Sequence, residues 1–544
     1  MQMQSIQRLA ASAGLLRLQA AAVVALTMLA GCAGVPATGP GKLGEPARSA
    51  GDCLVFLEEL DRVVHVAGTG DGGEHRVAGF PYLRVDRFTA SLRPEAAAAD
   101  VRYRPWVERM RALDTQARGY ETANLPDEAF PVLGMLDRGQ VAAQVQSCGS
   151  LLVSDHAMAA PQRRRLRAAV VVPDDYSMVK RALGLYSLTG MPFAAGERAW
   201  QRHTRRTFAA QRKAPPPDSV AYQEYLPREK PLSAEEALAD ARAAMAASPL
   251  DVLGIPQISE ASRERLLDAY APSFEIATRA EYDRFGPLQW IDLEGLVAPN
   301  AQRYWLDVDP SQPVVYRRLA FTRYGTAVLP QLVYTIWFSE RPMQEAGDFL
   351  GGRLDGLVWR VTLDEQGAPL LYDTIQPSGR FAMFFPTSRL RAKPPPESEP
   401  LIEWAFSPID EPIGQWVGAE KGLAGVSLRI ESQTHQLVGL GLPGARWGEP
   451  VGRNAPYRLV DANRLRMLPL PGRGSRSIFD AKGVVPNTER LARYFFWPMG
   501  IARPGSMRQW GRQPTAFIGR RHFDDADLLE KRFERLKQAP PGQR

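Results

Sequence analysis

Three cysteines and six histidines are all that this chain of 544 residues offers to thiol and imidazole chemistry. No two of the histidines (His65, His75, His156, His203, His435 and His522) lie within five residues of each other, which excludes a His-Glu-x-x-His zinc helix. A Gly-x-Ser-x-Gly nucleophile elbow and a Walker loop are also missing. Charge of one sign is scarce too. The net +7 is small for this length and spread along the chain, so it gives no footprint for nucleic acid. Apolar residues at 45% and charged residues at 23% exclude wholesale disorder and a multi-span membrane protein. Glycine and proline are plentiful, at 46 and 45, and favour turns over long helical bundles.

Acidic side chains are absent from residues 1–31, which carry Arg8 and Arg17. The apolar run 18–29 that follows is interrupted only by Gln19 and Thr27. It is too short to span a hydrocarbon core, which takes about 20 residues, and it fits the apolar region of an export signal. The run closes in Leu29-Ala30-Gly31-Cys32, which resembles the lipobox of bacterial lipoproteins. The resemblance implies diacylglycerol on the Cys32 thiol, cleavage before Cys32 and acylation of the new N-terminus. Ala33, where such proteins can carry Asp, implies export to the outer membrane, with the body facing the periplasm. The expected partner is therefore the membrane, through the lipid anchor, together with a possible envelope component.

With Cys32 acylated, Cys53 and Cys148 remain for an oxidising compartment. A bridge between them is the preferred reading, and two buried free thiols the alternative. Two such distant cysteines lack metal-ligand spacing, and no metal or cofactor is expected.

The expected fold class is α+β. Residues 1–31 read as signal peptide and 32–51 as a Gly/Pro/Ala/Ser-rich tether. Residues 52–212 read as a mostly helical domain, with Leu54, Phe56, Leu57, Leu60, Val63 and Val64 at helical spacing. Within it, 168–172 reads as a buried strand leading through Pro173-Asp174-Asp175 into a helix, a βα unit. Residues 213–288 read as a Pro-rich break and helices, one opened by the capping box Ser233/Glu236. Residues 289–544 read as a β-rich, mainly antiparallel domain ending in a helix. Its strands are expected at 304–308, 314–324, 328–338, 357–363, 370–375, 381–385, 401–406, 426–430, 436–442 and 515–522.

Two segments invite a chemical reading. Gly439-Leu-Gly441-Leu-Pro-Gly444 matches the dinucleotide fingerprint by letter, but Pro443 and the residues after it oppose the helix that pyrophosphate binding needs. Arg520-Arg521-His522-Phe523-Asp524-Asp525-Ala526-Asp527 is the densest polar cluster. As a site, His522 with Asp524 and Asp525 would bind a divalent cation or act as acid and base. As structure, Asp524 would cap the last helix and the other acids would sit in its positive first turn. Without a clustered catalytic constellation, an envelope binding or structural role is the first expectation. A periplasmic hydrolase acting on envelope glycan, lipid or peptide is the second.

Overall fold

The computed structural model describes residues 49–213, 221–227, 232–294, 303–345, 347–419, 423–445 and 454–536. The lipobox, the tether up to residue 48, the Pro-rich break after Lys213 and residues 446–453 lie outside them. Pro46–Arg544 forms one compact unit. No helix among the described residues is long and apolar enough to cross a membrane.

Helix α1 (Ala50–Ala67) begins at a capping box. The Ser49 hydroxyl accepts from the Asp52 N–H, and the Asp52 carboxylate accepts from the Ser49 N–H. It ends at Gly68, whose left-handed φ of 67° lets its N–H reach the last carbonyls. The predicted helical stripe is the buried one, apart from Leu54 at its margin. A hairpin of β1 (His75–Val77) and β2 (Phe80–Val85) interrupts the helices. Helices α2 (Arg87–Ser91), α3 (Asp100–Ala123) and α4 (Arg138–Leu152) follow. Cys53 of α1 and Cys148 of α4 lie at bonding distance, S–S 2.09 Å, and both are fully buried. Arg84 of β2, with no exposed surface, is held between Asp114 at 3.1 Å and Glu121 at 2.8 Å on α3.

The expected βα unit does not form. Pro161, at the first turn, starts helix α5 (Ala160–Ala169), which takes in the first two residues of the supposed strand. Val171 is then 60% exposed, and no strand among the described residues pairs with this segment. Helix α6 (Met178–Leu183) does form, but Ser177 caps it rather than Asp174 or Asp175. It is followed by α7 (Tyr186–Lys213), β3 (Tyr222–Pro227), α8 (Ala234–Ala246), α9 (Glu260–Ala269) and β4 (Ser273–Ala277). Ser233 and Glu236 make the predicted capping box on α8.

The strand-rich region comprises β5 (Leu288–Asp292), β6 (Tyr304–Val308), β7 (Val314–Tyr324), β8 (Ala327–Arg341) and β9 (Gly352–Leu363). It continues through β10 (Pro369–Ile375), β11 (Met383–Pro386), β12 (Leu390–Ala392), β13 (Ser427–Ile430), β14 (Leu437–Gly441) and β15 (Ala455–Asp461). Ten strands join one sheet in the order β11-β10-β9-β8-β7-β15-β3-β4-β13-β14. The sheet is mixed, because β15 runs parallel to both β7 and β3, and β13 runs parallel to β4. β3 and β4 come from the segment expected to be helical, so the middle of the chain supplies interior strands. The fold is α+β, with helices in the N-terminal and middle regions and the large sheet toward the C-terminus.

Period-2 alternation assigns the two faces. Leu332, Tyr334, Ile336 and Phe338 of β8, with Leu357, Trp359 and Val361 of β9, pack under α8 and α9. Leu329, Val333 and Val358 point the other way, toward Phe523, Leu528 and Phe533. Arg360 shares that second buried face, and Asp373, its cross-strand partner in the β9–β10 register, pairs with it (Nε to Oδ1 2.8 Å).

Three other expectations fail near the C-terminus. Neither 401–406 nor 515–522 is a strand; the latter keeps one isolated bridge, Pro514 to His522. Side chains take the place of a ladder there. Glu403 accepts from the N–H groups of Phe517 (2.6 Å) and Ile518 (3.0 Å), and Arg521 donates to the carbonyls of Glu403 and Trp404. After α10 (Ala492–Phe496), the terminal helix α11 (Leu528–Arg532) is short. The chain then straightens into β16 (Phe533–Arg535), antiparallel to β12, because the buried Phe533 is accommodated in extended form. Gly439 and Gly441 sit in β14, and the chain turns with Ala445 N–H bonded to Leu442 O rather than opening a helix at once.

Candidate functional site

His522, Asp524 and Asp525 lie close together, but they face different ways. The His522 ring is 4% exposed and meets Tyr176 edge-on, centroids 5.4 Å apart. Its Nε2 accepts from the Asp175 N–H at 3.3 Å and lies 3.5 Å from both Asp174 and Asp175 carboxylates. Asp525 accepts from the His522 N–H at 2.8 Å, closing the turn. Asp524 does not cap α11; it accepts from Arg87 Nε at 3.2 Å, and burial raises its pKa against the pull of Arg87. The cluster thus fastens the C-terminal segment to α2 and to the loop before α6. Acid–base catalysis would need the imidazole open to substrate, and this ring is spent on internal contacts.

Asp524 also lines a cleft of about 570 Å³, to which His522 and Asp525 contribute nothing. The cleft is walled by the β1–α2 region, α3, the start of α9, β7 and the loop at Trp510. Six arginines and five carboxylates line it, and their pairing decides its charge. Glu74 meets Arg466 at 2.6 Å, Asp524 meets Arg87, and Glu264 is shared by Arg263 and Arg317. Asp86 caps α2 through the Thr89 N–H, and Asp461 accepts from the Asn463 N–H. That leaves Arg109 and Arg318. Among the described residues, neither has a carboxylate within ion-pair distance. Arg109 donates to the Thr89 hydroxyl at 3.0 Å and lies over the Phe88 ring. Arg318 donates to Asn463 Oδ1 at 2.8 Å beside Trp510. Burial and the neighbouring Arg466 lower the Arg318 pKa. His75, at the same wall, receives Arg512, and burial together with that guanidinium lowers its pKa to about 3. It is therefore neutral at pH 7, and the lining itself carries one more arginine than carboxylate.

A second buried centre escapes sequence reasoning altogether. His435 is fully buried, stacked on Phe338 with centroids 3.9 Å apart. Its Nδ1 lies 3.1 Å from Asp355 and its Nε2 3.5 Å from Asp283. Burial opposes the imidazolium, but the two carboxylates outweigh it and the His435 pKa rises. The ring has no exposed surface, and the arrangement ties β9 to the turn before β14.

The signals for these features are single residues on elements far apart in the chain, with no local spacing to mark them. Among the described residues, no group of three or more His, Cys, Asp or Glu side chains is placed to hold a metal ion. No family model, no curated protein and no solved structure matches this chain.

Proposed function

We propose that this chain is a lipid-anchored envelope protein that binds an anionic ligand in the cleft between α3 and β7. The observation that carries the binding role is the pair Arg109 and Arg318, two guanidinium groups facing one cavity with, among the described residues, no carboxylate within ion-pair distance of either. Guanidinium groups suit carboxylate or phosphate because their planar donors match two oxygens at once. The lipobox resemblance at Cys32 supports the anchor, Ala33 the outer membrane, and a buried cystine an oxidising compartment.

Inorganic phosphate, titrated at constant ionic strength against chloride, is the probe for the cleft. It raises the melting midpoint of the protein, by an amount equivalent to about 1.4 kcal/mol at ten times Kd. The double variant Arg109→Gln/Arg318→Gln abolishes the shift. An equal shift in that variant places the anion elsewhere.

The anchor has its own test. Wild-type protein from a bacterial envelope carries the acyl mass on a peptide beginning at Cys32. Cys32→Ala yields neither the cleavage nor the added mass. An unacylated, uncleaved wild-type chain overturns the anchored reading.

A further inference from the structure

We infer that the face built from α6, the start of α7 and α10 is a second membrane contact, which lays the folded body on an anionic phospholipid surface. Val179, Leu183 and Leu188 are 69%, 74% and 61% exposed. Tyr494, Phe495 and Trp497 beside them are 60%, 59% and 39% exposed. These residues belong to one surface. Helix α6 and the short 3-10 turn Trp497–Met499 are in contact, close enough that a Cβ on Gly184 would meet Pro498 at 2.5 Å. Phe193 of α7 packs on Phe496 at 5.4 Å. Isolated exposed apolar side chains need no explanation, but a continuous patch with aromatic rings at its rim does.

The charge pattern identifies the occupant. From Tyr176 to Gly196, and again from Arg490 to Phe523, the sequence contains no Asp or Glu, although acids make up 60 of the 544 residues. The basic residues in those stretches include Lys180 and Arg493, which have no carboxylate within ion-pair distance among the described residues; Arg493 instead donates to the Tyr494 hydroxyl. Apolar side chains, interfacial Tyr and Trp, and cations without acids are the composition that partitions into the headgroup region of an anionic bilayer. The path from Cys32 to Ser49 spans at most about 60 Å when extended, so an acylated chain holds the start of α1 within that distance of the membrane. In that respect the inference rests on the anchored reading.

The test separates the two. The chain from residue 33 onward keeps the whole compact unit and cannot be acylated at Cys32. It is floated with vesicles of phosphatidylethanolamine and phosphatidylglycerol, and separately with phosphatidylcholine alone. It floats with the anionic vesicles, less so at high salt, and Leu183→Glu/Leu188→Glu weakens this roughly tenfold or more. Both positions are exposed, so the variant keeps its near-UV circular dichroism and its phosphate shift. Absence of flotation, or flotation unchanged in the variant, overturns the membrane face even if acylation of Cys32 is found. Self-association that the same variant abolishes, without flotation, assigns the patch to a second copy and likewise overturns it.

Discussion

His435→Leu lowers the urea midpoint of the protein by the equivalent of about 3–5 kcal/mol near pH 6, the cost of stranding buried charge. Leucine keeps much of the packing on Phe338 but removes the cation that Asp283 and Asp355 face at 3.5 and 3.1 Å. Both carboxylates are fully buried, and burial would raise their pKa values. In the folded protein the His435 interaction and, at Asp283, the N–H groups of Arg279 and Gln433 reverse that and lower them. The pH dependence follows from the directions of these shifts. The His435 pKa is raised, so its contribution is complete below the ordinary 6.5 and is lost as pH climbs through the folded value. The two aspartates are lowered, so theirs is complete above the ordinary 3.8 and is lost as pH falls through their folded values. The gap between wild type and variant is therefore widest between about pH 4 and 6.5 and narrows on both sides. Urea titrations at several pH values check this, and a gap independent of pH would show that packing alone is lost.

Cys53→Ser/Cys148→Ser, or reduction of the wild type, costs about 2–4 kcal/mol. The bridge spans 95 residues, so most of the N-terminal helical region is closed within one covalent loop. In the chain-entropy account, opening it releases the unfolded chain, and longer loops lose more. In the variant, two serine hydroxyls are also left where the cystine sulfurs were buried. The loss is localised. Amide exchange quickens first in α1, α4 and the β1–β2 hairpin, while β8 and β9 in the large sheet keep their protection. Hydrogen exchange with and without reductant reads this directly, and uniform acceleration over the whole chain would contradict it.

Periodicity made the long elements legible in the sequence. α1, α8, β6 and β7 fall where their apolar spacing and caps place them, because a stripe or an alternating face can be buried in only one way. Expectations failed where a backbone group found a side-chain partner instead of a ladder. At 515–522 the carboxylate of Glu403 satisfies the N–H groups of Phe517 and Ile518, and it lies more than a hundred residues away in sequence, too far to be foreseen as a partner. The polar run at His522 was visible, but its role as a fastening between Arg87, Asp174 and Asp175 depends on segments 346 or more residues away.

Composition and local pattern alone determined the apolar run closing at Cys32 and the α+β character. Only the folded chain decided that β3 and β4 enter the sheet, that Arg109 and Arg318 face one cleft, and that His435 lies between two aspartates. The reason is range: hydrophobic spacing acts over a few residues, whereas the pairing of a charge is settled by whichever distant segment packing brings against it.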